Sequence, residues 1–269
     1  MSSIQTLYHA TEPRAPDVLY HYCTTETFVS IVTNRSVRLS ALSMSNDSEE
    51  GRLVHRLIDE LGSFKGSPHA DIDALKARWN EVVGANEGFG FCLSEKRDLL
   101  SQWRGYAALG KGVCIGFSTD YLRALCGAPS NPTALTLEKV VYAPTVQARL
   151  FMPTHHHLMT TLPHDLTSAM AVAAWSRRVY TFKGEGFAEE QEWRLLTLFS
   201  GRSDEDCRYR AADDKIVAFR EVSLVNPGAG AIVSVTLGPK HVTPVSQVGI
   251  LLRRHGFPAE VSKSSLTYR

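Results

Sequence analysis

The amino-acid sequence predicts a single α+β domain whose helices sit at the periphery of a strand-built centre. Three observations lead there. A short aromatic strand runs directly into an amphipathic helix, the middle of the chain turns to strands broken by one short helix, and strands dominate from residue 190 onward. No Ser/Gly linker and no internal repeat divides the 269 residues, and single domains commonly reach about 250 residues.

Residues 1–17 mix polar side chains with Pro13 and Pro16 and read as a flexible arm, leaving 18–269 as the domain. Leu19, Tyr20, His21 and Tyr22 make the first strand. Thr24 caps the following helix, on which Phe28, Ile31 and Val32 share a face at i, i+3, i+4 spacing. A second strand at 37–40 leads to Asn46 and Asp47. Asp47 and Glu50 form a capping box for a helix carrying Leu53, Val54, Leu57, Ile58 and Leu61 on one side. After a break at 62–68, residues 71–83 repeat the helical pattern with Leu75, Trp79 and Val82. Strands at 89–94 and 112–118 flank a helix at 99–107. A strand at 138–142 comes next, Pro153 with His155, His156 and His157 marks a loop, and an Ala-rich helix covers 164–180. Strands then follow at 190–199, 207–211, 216–222 and 232–237. Thr243 and Pro244 supply an N-cap and a first-position proline for a last helix with Val248, Leu251 and Leu252 buried.

Charge narrows the function classes. With 29 Lys+Arg against 28 Asp+Glu, and no long like-charge block, the net charge of +1 argues against a broad nucleic-acid-binding surface or an anionic membrane partner. A small basic pocket is compatible with it. The five cysteines are odd in number and show no CxxC spacing, which indicates reduced thiols rather than a disulfide framework or a zinc ribbon. The first twenty residues lack an apolar run of signal-peptide length and no 18-residue apolar stretch occurs, so the expectation is a cytoplasmic protein with no membrane partner.

The most informative chemistry lies at Glu190, Glu192 and Arg194, which alternate onto one face if the segment is a strand. Two carboxylates on one wall repel, so one is expected to have a raised pKa unless a cation sits between them. The alternative is an ordinary charge ladder on an exposed strand. His21 faces opposite to Tyr20 and Tyr22, as a satisfied core histidine or as an imidazole presented to a pocket. Helix capping accounts for Asp47. Gln102, Arg104 and Tyr106 concentrate hydrogen-bonding groups among large apolar residues; Arg104 can grip a phosphate or carboxylate, or pair with Asp98 or a glutamate. Gly110-Lys111-Gly112 does not fit a P-loop, and neither GxGxxG after a strand nor GxSxG occurs. The three adjacent histidines point in different directions in a surface loop, so no metal site is predicted.

Taken together, Leu19-Tyr20-His21-Tyr22, Asn46-Asp47-Ser48-Glu49-Glu50, Cys92-Leu93-Ser94, Ser101-Gln102-Trp103-Arg104-Gly105-Tyr106, Gly112-Val113-Cys114-Ile115-Gly116-Phe117 and Glu190-Gln191-Glu192-Trp193-Arg194 resemble a bacterial domain-of-unknown-function family. Leu237-Gly238-Pro239-Lys240 and the run 264–269 extend the resemblance over nearly everything after Val18. Cys23 stands where that family usually has threonine, and Ser48 where it has proline.

The outer motifs are also similar to ADP-ribosyltransferase-like toxins and effectors. That resemblance implies mostly antiparallel split sheets with peripheral helices, NAD as substrate, and an acceptor macromolecule modified by a toxin or phage-defence effector. It assigns His21 to orienting NAD, Glu192 to catalysis and Glu190 to the acceptor; beyond the resemblance, Tyr22 or Tyr106 is a candidate for stacking on nicotinamide and Arg104 for meeting the pyrophosphate. The second strand, 37–40, has no tyrosine to complete a His-Tyr-Glu set. Two other readings are a non-catalytic nucleotide- or protein-binding sensor using His21, Arg104 and Glu192, and a metal-dependent nuclease using Asp47, Glu190 and Glu192. The enzyme reading expects His21, Arg104 and Glu192 to converge on one cleft large enough for a dinucleotide.

Overall fold

Leu19 and Cys23 face one side of strand β1 (Val18–Cys23) and join the main apolar core, while Tyr20 and Tyr22 face the other side and pack near Trp103. That alternation sets the architecture of the computed structural model, which describes residues 14–44, 50–64, 66–84, 86–127, 133–160, 177, 179–200, 207–212, 214–225 and 230–267. β1 lies antiparallel to β4 (Val113–Ser118) along its whole length, from Val18 opposite Ser118 to Cys23 opposite Val113. β4 pairs in turn with β9 (Ile232–Leu237), which takes β10 (Glu260–Lys263) in the parallel sense.

The other half of the sheet grows from β3 (Asn86–Ser94). One edge of β3 pairs along its full length with β6 (Glu192–Ser200), and β6 carries β5 (Thr136–Lys139). The opposite edge serves two strands in succession: β1 at Ser94, then β2 (Ser36–Ala41) at Gly90 and Phe89. β2 continues to β8 (Lys215–Ser223) and β7 (Arg208–Ala212). The expected split sheets are therefore one ten-stranded sheet, mixed but mostly antiparallel, because β3 holds both wings along a single edge.

Helix α1 (Thr25–Asn34) begins where Thr24 Oγ1 accepts from the Thr27 N–H at 3.2 Å, and it buries Phe28, Ile31 and Val32 against Val37, Leu39 and Phe89. A second apolar cluster joins α2 (Glu50–Phe64), α3 (His69–Gly84) and α6 (Pro144–Thr160), with Trp79 edge-on to Phe151 at 5.6 Å. α4 (Leu100–Tyr106), α5 (Thr119–Ala124) and α7 (Val245–Arg254) complete the described helices.

Several sequence expectations need correction. Residues 14–17 are anchored rather than free, since Ala15 is buried and the Asp17 carbonyl accepts from the Thr119 N–H at 3.0 Å. The expected loop at Pro153 and the histidines is part of α6. Phe151 and His155, one turn apart, are both buried, and packing of that face overrides the proline penalty. His156 is exposed. Pro244, not Thr243, occupies the N-cap of α7, without a side-chain cap. The Asp47 capping box and most of the helix expected at 164–180 lie outside the described residues.

Candidate functional site

The strand expected from residue 190 starts at Glu192. Residues Glu185–Glu190 instead form a 3₁₀ stretch, and Gln191 turns the chain at φ 44°, in the left-handed region. Glu190 and Glu192 are thus not alternate residues of one strand. They meet through a third residue, Lys183, whose Nζ donates to Glu190 Oε2 at 2.6 Å and to Glu192 Oε2 at 3.0 Å. Arg194 completes the cluster. Its Nε donates to Glu192 Oε1 at 2.7 Å and its Nη2 to Glu192 Oε2 at 3.2 Å, while Nη1 reaches the Tyr180 carbonyl at 2.6 Å.

The cluster is almost entirely buried, yet its two negative and two positive groups balance. Burial alone drives the Glu192 carboxyl toward its neutral form. The Arg194 guanidinium and the Lys183 ammonium outweigh it and hold the pKa at about 2. The exception expected for two neighbouring carboxylates applies here: a cation sits between them, and Glu192 is lowered rather than raised. On Lys183, burial opposes the charge, but Glu192 and Glu190 raise its pKa above the ordinary value. Glu190 gains one more partner, the Tyr106 hydroxyl, which donates to Oε1 at 2.9 Å.

His21 stands where β3 changes partners. Its Nδ1 donates to the Cys92 carbonyl at 2.8 Å, and its ring stacks on Phe91 with centroids 4.1 Å apart. Burial pulls its pKa down to about 4, against the opposing effect of the carbonyl bond, so the imidazole is neutral at pH 7. With the proton on Nδ1, Nε2 carries a lone pair and accepts.

These groups line one cleft of about 140 Å³, smaller than the roughly 300–1,000 Å³ found for sites that enclose a drug-sized ligand and on the scale of a single ring. Tyr20 and Tyr22 from β1, Gln102 and Tyr106 from α4, and Phe187 give it aromatic and amide walls around the charged cluster. Helix α4 is held at its N-terminal end. The Tyr22 hydroxyl donates to the Lys96 carbonyl at 2.8 Å and accepts from the Leu99 N–H at 3.0 Å. Asp98 accepts from Trp103 Nε1 at 2.6 Å, from Ser264 Oγ at 2.7 Å and from the Ser265 N–H at 2.9 Å. Those bonds outweigh the effect of burial and hold the Asp98 carboxyl below the usual range.

His21, Tyr22, Tyr106, Glu190 and Glu192 therefore converge, whereas Arg104 is not among the cleft residues. Gln102 and Tyr106, one helical turn apart, share the cleft face of α4; Arg104, about 200° round the helix from Gln102, is exposed. The Arg104–Asp98 pair considered from spacing is replaced by Asp98 bonding to Trp103, Ser264 and Ser265. Lys183 escaped sequence reasoning. Its one trace was the need for a cation between two carboxylates.

Among the described residues, no group of three or more His, Cys, Asp or Glu is placed to hold a metal ion. Asp47 lies outside them. No described helix is long and apolar enough to cross a membrane. A family model described as a protein of unknown function (DUF2971) matches residues 102–195. That stretch runs from Gln102 to Leu195 and includes Tyr106, Lys183, Glu190, Glu192 and Arg194, but not His21 or Tyr22. No curated protein and no solved structure matches the chain.

Proposed function

We propose that the cleft binds NAD and that the protein transfers its ADP-ribose moiety to an acceptor macromolecule, as a toxin or phage-defence effector. One observation carries this reading: His21 from β1 and Glu192 from β6 line the same cleft. Neutral His21, with an accepting Nε2, is suited to a ribose hydroxyl. Glu192 remains ionised and faces positive charge developing on the ribose as the bond to nicotinamide breaks. The bonding electron pair leaves on the nicotinamide nitrogen, which becomes neutral. The acceptor's nucleophilic atom bonds to the ribose carbon, and its proton passes to Glu190 or to water. Tyr22 and Tyr106 offer ring faces to nicotinamide. Arg104 has no part.

The test is nicotinamide release from NAD by the purified protein with and without a cell lysate, comparing wild type with Glu192→Gln. The expectation is release that falls at least about 100-fold in the variant, the scale of losing an electrostatic group aimed at a transition state. No release from the wild type, or release unchanged in a folded variant, overturns the reading. A second reading, binding without turnover, is favoured by the ion pairing that already neutralises Glu192. Saturable NAD binding without nicotinamide release decides for it.

A further inference from the structure

Gln102 is 7% exposed, lines the cleft, and among the described residues its side chain has no hydrogen-bond partner. Its amide atoms are not sealed from solvent but open to the cleft, so a ligand there can pair with them without displacing a bond of the fold. Its helix does not yield easily, because Tyr22 and Asp98 hold the segment 98–103 by five hydrogen bonds from β1, Trp103 and the 264–265 segment. One turn along, Tyr106 grips Glu190, so the free amide stands beside the carboxylate cluster and within an aromatic wall.

A primary amide presents one acceptor and one donor side by side in a plane. Its complement is a flat group offering a donor and an acceptor at the same spacing. Lys183 and Arg194 already neutralise the glutamates, so a neutral group matches Gln102 better than an ion does. We infer that Gln102 is a specificity-determining residue that pairs in two-point fashion with a donor–acceptor edge on a planar ring, the carboxamide of nicotinamide on the reading proposed above. An adenine edge has the same chemistry, and the experiment separates the two sources. A carboxylate in place of the carboxamide removes the donor and sets two acceptors against each other.

Binding of nicotinamide against nicotinate, and of adenosine against inosine, is measured by ligand-observed NMR on the full chain. Wild type is compared with Gln102→Leu and Gln102→Met, the latter keeping the side-chain length should the leucine variant unfold. The expected result is a wild-type preference of about tenfold or more within one pair, the scale of a two-point hydrogen-bonded contact, reduced to within about twofold in the variants. Preference within the nicotinamide pair assigns the carboxamide; preference within the adenosine pair assigns the base. No preference in the wild type, or one that survives in a folded variant, overturns the inference. NAD turnover is scored separately. Its absence together with a Gln102-dependent preference defeats the transferase reading and leaves this one standing; turnover with no such preference does the reverse.

Discussion

His21 Nδ1 donates to the Cys92 carbonyl over 2.8 Å at the point where the edge of β3 passes from β1 to β2. The imidazole serves a backbone acceptor between the two wings, which fixes its tautomer and makes one side chain part of both the sheet and the cleft.

Acid should loosen the fold through this residue. The folded pKa of about 4 lies below the ordinary 6.5, so in that window the unfolded chain binds a proton that the folded chain does not. Stability conferred by neutral His21 is full above pH 6.5 and is lost as pH falls toward 4. Urea midpoints at pH 7 and pH 5 measure it. His21→Phe, which keeps a ring against Phe91 but leaves the Cys92 carbonyl without its donor, is expected to lose about 0.5–1.5 kcal/mol at pH 7 and to show a flatter response across the window.

Glu192 acts lower on the pH scale. Its carboxyl is depressed from 4.5 to about 2, so the stability it adds is present above pH 4.5 and disappears as pH falls through 2. Arg194→Met leaves this buried carboxylate with Lys183 as its remaining ion-pair partner, an expected loss of about 3–5 kcal/mol. Combining it with Glu192→Gln should cost less than the sum of the two single changes, since the double variant strands no charge on that pair. Guanidinium unfolding of the four proteins completes the cycle.

Asp98→Ala removes the acceptor shared by Trp103, Ser264 and Ser265. Loss of these charge-assisted bonds is expected to lower stability by about 2–3 kcal/mol. The diagnostic readout is hydrogen exchange, which should speed up together in α4 and around residues 264–266 while α3 stays protected. Faster exchange spread evenly over both regions and α3 contradicts a local clasp.

Two glycines should respond in opposite directions to alanine. At Gly112 a Cβ lies 2.2 Å from the Cys23 carbonyl oxygen and 2.9 Å from Ala107 Cα, backbone atoms that cannot move aside cheaply, and a loss of about 3 kcal/mol or more is expected. At Gly105, inside α4, a Cβ meets nothing within 4 Å, and alanine should add about 0.5–1 kcal/mol through helix propensity. Denaturant midpoints of the two variants test both signs.

Much of this was legible in the chain because the signals are local. β1, β3 and β9 are runs of aromatic and β-branched residues, and Thr24 caps α1 as its side chain and position predict. The convergence of Tyr106 and Glu192 was visible only as a resemblance, since nothing local says that α4 lies against the 183–192 segment. Arg104 and Gln102 were within reach of a stricter argument: a single helix face joins Gln102 to Tyr106 and turns Arg104 away. Lys183 was not. It reaches both glutamates through the Gly184 turn and the 3₁₀ stretch, and Glu190 and Glu192 are brought round it by the φ of one residue, Gln191. Such chain reversals leave no periodicity to read. β10 was hidden for a related reason, as a four-residue parallel strand makes sense only beside β9.

Asp98 also sets an order of assembly. Trp103 is five residues from it, whereas Ser264 and Ser265 are 166 and 167 residues away. On a growing polypeptide, β1, α4 and the charged cluster have all been translated before these serines are added. Every residue of the ion cluster precedes these serines in the chain, so the cluster's partners are all present before Asp98 gains Ser264 and Ser265 and its clasp on Trp103 is complete.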